Sequence, residues 1–224
     1  MKIIDEMWNL HNRLIPEYKG KIFISLTGGL DSRVLAGIIS KRRQIDLGYY
    51  YYHKDTACNI THIRQLLKLL NYKDFCLVKG LSHGITKQLI HPLEEISKKY
   101  NLKEYKYIVN GFGDIATGMS MTLKRNRSFY MQKDFFVDGG FYAQDYKTLE
   151  YFGSADNPLW KPEFIGYLHS LPRYARFFQY AYIQMIKKYL PHLYDIPRCF
   201  EKGSGHPTRL DYYMLRRIYD KLKG

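Results

Sequence analysis

Cysteine is scarce in this chain: three in 224 residues, at Cys58, Cys76 and Cys199, with no Cys-x-x-Cys pair. A disulfide framework and a paired-cysteine structural zinc are therefore not expected, and a reduced cytoplasmic setting is. Nor does any apolar run approach the ~18 residues that a membrane-spanning helix needs, so no membrane partner is expected. A signal peptide is not expected either, because Asp5 and Glu6 stand where its apolar core would begin. Acidic residues are few, 21 against 35 lysines and arginines, which leaves a net charge of +14. Such an excess attracts polyanions such as tRNA, or anionic nucleotides. The basic residues nevertheless fall in separate groups, Lys41-Arg42-Arg43, Lys124-Arg125-Asn126-Arg127 and Arg216-Arg217, each expected to be a solvated face. The eight histidines lack metal-ligand spacing. With 46% apolar and 25% charged residues, the chain is composed like an ordinary globular protein.

What is present is a glycine loop in a particular context. A β-like run, Lys21-Ile22-Phe23-Ile24, leads into Ser25-Leu26-Thr27-Gly28-Gly29-Leu30-Asp31-Ser32-Arg33, and a helix-like segment, Val34 to Lys41, follows. Adjacent glycines let a backbone approach an anion closely, and N–H groups opening a helix point at it. Asp31 adds a hard oxygen ligand suited to Mg²⁺, and Thr27 and Ser32 add hydroxyls. Arg33 either reaches a phosphate or is an exposed first-turn residue. The lysine of a Walker loop is absent at the required spacing. The stretch resembles instead the PP-loop of ATP pyrophosphatases, Ser-Gly-Gly-x-Asp-Ser, which cleave ATP between its α and β phosphates.

Along the chain the pattern predicts one domain: an N-terminal helix (1–20), an α/β core (21–122), an irregular insert (123–160) and a helical C-terminal part (161–224). An amphipathic helix over 1–15 ends before Pro16 and Gly20. Strands are expected at 21–26, Leu47 to Tyr52, Asp74 to Val78 and Tyr105 to Val109. Helices are expected over 32–43, from a cap at Asp55 or Thr56 to Leu70, and from Gly84 to Tyr100 with Pro92 kinking it. Further helices are expected at 161–170, 172–190 and 207–222. Strands alternating with helices argue for a parallel sheet with ligands beyond the carboxyl ends of its strands. The glycine loop and the later turn Gly111-Phe112-Gly113 both fall on that edge. Tyr49 to Tyr52 reads as a strand burying alternate tyrosines.

Three later stretches narrow the resemblance. Val109-Asn110-Gly111-Phe112-Gly113-Asp114 resembles the second nucleotide motif of asparagine synthetases, Ser-Gly-Glu-Gly-x-Asp-Glu. Asn157-Pro158-Leu159-Trp160, with Leu168-His169-Ser170-Leu171-Pro172, resembles their Pro-Phe-Leu-Asp segment and following helix. Lys188-Tyr189-Leu190-Pro191 through Ile196-Pro197, then Glu201-Lys202-Gly203-Ser204-Gly205-His206-Pro207, resembles their Leu-Pro…Ile-Pro and Lys-x-Gly-Phe-x-x-Pro. The chain thus resembles the synthetase domain of the asparagine synthetase superfamily. That resemblance implies a parallel sheet of about five strands flanked by helices, like that of the adenine nucleotide alpha hydrolases, with a mainly helical C-terminal part.

It further implies an ATP- and Mg²⁺-dependent ligase that turns a small-molecule or peptide carboxylate into an acyl-adenylate, releases pyrophosphate, and passes the acyl group to ammonia or an amine. By resemblance Asp31 and Asp114 hold Mg²⁺. Ser25, Thr27, Gly28, Gly29 and Ser32 hold phosphate oxygens, and Leu26, Asn110, Gly111 and Gly113 belong to the nucleotide pocket. Lys202 stabilises phosphate charge. Two departures stand out. Phe112 occupies the place of the glutamate between the family's glycines, and it can exchange no proton; the motif is also one residue short, so Asp114 aligns with either the aspartate or the serine beside it. And the chain reaches its loop within thirty residues, without the glutaminase of glutamine-dependent synthetases. Nitrogen is then expected from ammonia, a substrate amine or a separate glutaminase subunit. The alternatives are a non-catalytic nucleotide-binding relative, which Phe112 favours, and a PP-loop tRNA-modifying enzyme, which the charge favours and the lack of paired cysteines opposes.

Overall fold

A computed structural model describes residues 2–26, 29–52, 58–80, 85–108, 150–172, 175 and 180–196. Its elements in chain order are α1 (Lys2–Leu14), β1 (Lys21–Ser25), α2 (Leu30–Arg42), β2 (Ile45–Tyr52), α3 (Cys58–Leu69), β3 (Tyr72–Lys79), α4 (Ile85–Ser97), β4 (Tyr105–Ile108), β5 (Ser154–Asp156), α5 (Pro162–Ser170), α6 (Tyr180–Tyr189) and α7 (Pro191–Tyr194). The strands form one sheet in the order β3-β2-β1-β4-β5, and every pairing is parallel. The chain is therefore α/β, a parallel five-stranded sheet flanked by helices with a mostly helical C-terminal region, as the sequence predicts. Such a sheet is of the broad nucleotide-binding kind.

Alternation along β1 explains the layers. Ile22 and Ile24 join a buried cluster with residues of α1, α2, α3, α5, α6 and α7, whereas Phe23 joins a second cluster with Leu93 and Ile96 of α4. Both faces of the central strand are covered, which is why it reads as a continuous apolar run. In β2, consecutive Tyr49 and Tyr50 are both buried, one in each cluster. The tyrosine run is thus a strand between two cores rather than one with a wet face.

Helix α2 is buried on nearly every side, from Val34 through Ile39. It lies between the sheet and the C-terminal helices, and a helix covered all round carries no clean apolar stripe. At Gly37 a Cβ would sit 2.6 Å from Leu193 Cδ1 and 3.3 Å from both Leu190 Cδ atoms, so the missing side chain lets α7 pack flush on α2. Gly20, at φ 74°, turns the chain into β1 in a conformation that glycine adopts without strain.

The fifth strand lies at Ser154–Asp156, within the span read from the sequence as an irregular insert. Three residues are too few to show a period, and the pairing Ile108↔Asp156 makes them a strand. Helix α4 runs through Pro92. The expected caps at Asp55 and Thr56, the turn at 111–113, most of the insert and the helix at 207–222 lie outside the described residues.

The group Lys41-Arg42-Arg43 sits at the surface with its side chains engaged. Lys41 Nζ donates to Tyr189 O at 3.0 Å and lies over the Trp8 ring. Arg42 donates to the carbonyls of Ile15 and Asn12, at 2.6 and 2.7 Å, which end α1. Arg43 donates to Tyr18 O, Gly20 O and Asp46. These residues tie the connector before β1 to the sheet, satisfying carbonyls that a helix end and a turn leave open.

Candidate functional site at the carboxyl edge of the sheet

The strand order turns back at β1, whose neighbours β2 and β4 follow it in opposite directions across the sheet. Crevices at such a reversal, beyond the carboxyl ends of the strands, are where parallel α/β sheets hold ligands. The glycine loop is at that place. Ser25 ends β1 and is buried, and the Leu26 amide donates to Tyr49 O at 2.9 Å, which extends the ladder one residue past the strand. Thr27 and Gly28 lie outside the described residues. Gly29 is the N-cap of α2, extended at φ −76°, ψ 171°, and it brings no capping side chain.

The helix opens at Leu30, two residues earlier than its pattern suggests, so Asp31 and Ser32 belong to its first turn. Asp31 is half-buried, a carboxylate at the positive end of a thirteen-residue helix. Ser32 is 1% exposed, and its Oγ donates to Gly29 O at 3.2 Å, bracing the loop's exit. Mg²⁺ is commonly held by one or two carboxylates together with substrate phosphates. Asp31 suits that donor set; Asp114, the second expected ligand, lies outside the described residues. Among the described residues no three His, Cys, Asp or Glu side chains cluster to hold a metal.

Arg33 departs from the exposed role that the sequence left open. It is fully buried, not exposed, and its Nη1 donates to Leu193 O at 3.0 Å and to Ile196 O. These carbonyls lie at and just beyond the end of α7, where a cation is well placed. One nitrogen of the guanidinium is thus engaged by the protein's own backbone. His62 of α3 stands close enough to this charge for it to hold the imidazole pKa down, in addition to the larger effect of burial. No residue pattern signals this role for Arg33, because its partners are backbone atoms 160 and 163 residues away.

The register brings the starts of the other motifs to the same edge. Ile24 pairs with Ile108, so β4 ends beside the end of β1. Ile108 pairs with Asp156, so Asn157 and the short 3-10 turn Pro158–Trp160 follow on the same side. Ile196, from which the segment with Lys202 departs, is held by Arg33 one turn into α2. Asn110, Gly111, Gly113 and Lys202 themselves lie outside the described residues. The ends of β1, β4 and β5 thus lie along one edge of the sheet, with Ile196 tied to the helix that follows β1.

No helix among the described residues is long and apolar enough to cross a membrane. No protein-family model matches the chain, and a search of curated proteins finds no significant match.

Proposed function

We propose that this protein binds Mg-ATP at the carboxyl end of β1, cleaves it between the α and β phosphates to form an acyl-adenylate, and transfers the acyl group to ammonia or an amine, as asparagine synthetases do. One observation supports the reading above the rest: the PP-loop-like sequence occupies the reversal point of a 3-2-1-4-5 parallel sheet and opens a buried helix. The amides that begin α2 would receive phosphate oxygens, with Ser25, Thr27, Gly28, Gly29 and Ser32 around them. Leu26, Asn110, Gly111 and Gly113 would line the nucleotide pocket. Asp31 and Asp114 would hold Mg²⁺, which would neutralise the departing pyrophosphate. Lys202 would add positive charge where the transition state gains negative charge.

Incubating the protein with Mg-ATP and a panel of carboxylates, with ammonia or hydroxylamine as acceptor, should release AMP and pyrophosphate. Release of ADP and orthophosphate would overturn the reading. Binding of Mg-ATP without turnover over a broad panel would place the chain with non-catalytic relatives, where Phe112 already points.

A further inference from the structure

Arg33 has the position of a phosphate ligand and the surroundings of a structural tether. It lies in the first turn of α2, directly after Asp31 and Ser32, yet its side chain turns inward to the carbonyls of Leu193 and Ile196. One turn further along the same face, Gly37 removes the Cβ that would strike Leu193 and Leu190. Positions 33 and 37 are neighbours on a helix surface. The two features therefore clamp one corner, Leu190 to Ile196, against the helix that presents the loop. Burying a guanidinium is costly unless its donors are met, and here Nη1 alone meets two carbonyls at once.

We propose that Arg33 is a positioning residue for nucleotide binding: it fixes the first turn of α2 by latching it to the Leu190–Ile196 corner, and so sets the amides and the Asp31 carboxylate in the arrangement that receives Mg-ATP. The proposal rests on the ATP reading above. The latch acts from inside the protein, through Asp31 and Ser32, and contacts no phosphate.

The test uses Arg33→Met, Arg33→Lys and Gly37→Ala in the full chain. Mg-ATP affinity is measured by calorimetry, and amide hydrogen exchange is followed over 190–196, where the Leu193, Tyr194 and Asp195 amides donate to Leu190 and Pro191 carbonyls. Arg33→Met should raise exchange over 190–196 and weaken Mg-ATP binding at least tenfold. Arg33→Lys keeps the charge, but its ammonium ends one bond short of the Nη1 position that meets both carbonyls, so both changes should persist. Gly37→Ala meets only flexible leucine tips and leaves every charge in place, so it should fold. It should raise exchange over 190–196 and weaken binding about threefold. Full affinity in Arg33→Lys with exchange still raised would show that the charge, not the latch, matters. Unchanged affinity in Arg33→Met or Gly37→Ala would overturn the proposal while leaving the ATP reading intact. Wild-type protein that fails to bind Mg-ATP would overturn both.

Discussion

His11 carries a pH dependence in the range between neutral and acid that the structure explains atom by atom. It lies on α1, fully buried, with Nδ1 2.7 Å from Met7 O, so that nitrogen carries the proton of the neutral ring. Nε2 is buried without a hydrogen-bond partner and faces aromatic neighbours, Phe164 edge-on at 4.6 Å and Tyr182 at 5.7 Å. Protonation would place a charge on an atom with no acceptor. Burial accordingly pushes the pKa down to about 4 from 6.5, partly offset by the Met7 carbonyl. The folded state thus binds this proton less readily than the unfolded chain. Stability from the neutral ring is complete above about pH 6.5, falls as the pH drops, and is fully lost below about 4. A gap of ~2.5 units is worth about 3 kcal/mol in total, and between pH 7.5 and 5 the loss is ~2 kcal/mol. Urea unfolding at those two pH values, on the wild type and on His11→Asn, isolates the effect. Asparagine places an amide near the Nδ1 position and does not titrate. Ion-paired carboxylates such as Asp5, whose pKa its hydrogen bond with Lys188 lowers, are common to both chains and cancel. The wild type should lose ~2 kcal/mol more than the variant on going from pH 7.5 to 5. Equal losses in the two chains would refute the reasoning.

Three further outcomes follow from geometry. Asp31→Asn should abolish Mg-ATP turnover while the chain still unfolds cooperatively; retained turnover would refute its role at the metal. Gly48→Ala should destabilise by ~1–3 kcal/mol in chemical denaturation, since its Cβ would stand 2.6 Å from the backbone oxygen of Ile24 and 3.0 Å from the Phe75 ring, and backbone cannot step aside cheaply. Arg43→Gln should cost ~2 kcal/mol by removing charge-assisted bonds to Tyr18 O, Gly20 O and Asp46, at 2.7, 2.8 and 2.7 Å, again read by urea unfolding.

The sheet was legible because its strands are buried on both faces and punctuated by turn residues. The pattern put β1, β2, β3 and β4 within two residues of their observed limits at the described ends. Strand β5 escaped because three residues carry no period, and its identity depends on pairing with β4. Helix α2 was legible as a helix, but not as one buried all round, since its outer cover comes from α6 and α7, more than a hundred residues later. The loop's place at the reversal point could be expected from strand–glycine–helix order. The orientation of Arg33 could not, because a guanidinium bonded to carbonyls leaves no pattern in side-chain chemistry. His11 is a core residue, and nothing in the sequence distinguishes its unpartnered nitrogen from a solvated one.

The net charge of +14 looks different once its members are placed. In the one basic group that is described, the Arg42 and Arg43 guanidiniums and the Lys41 ammonium are committed to backbone oxygens of Asn12, Ile15, Tyr18, Gly20 and Tyr189. Arg33 is spent inside the core. Cations that hold carbonyls keep their charge, but they must surrender structural bonds before they can grip phosphates along a polynucleotide, and such gripping is what gives polyanion binding its affinity. A single nucleotide asks for less: a few amides at one helix terminus, one carboxylate for the metal and a lysine. The loop at β1 has the sequence for that smaller task, and the described basic group, at the opposite end of α2, closes the chain's own turns.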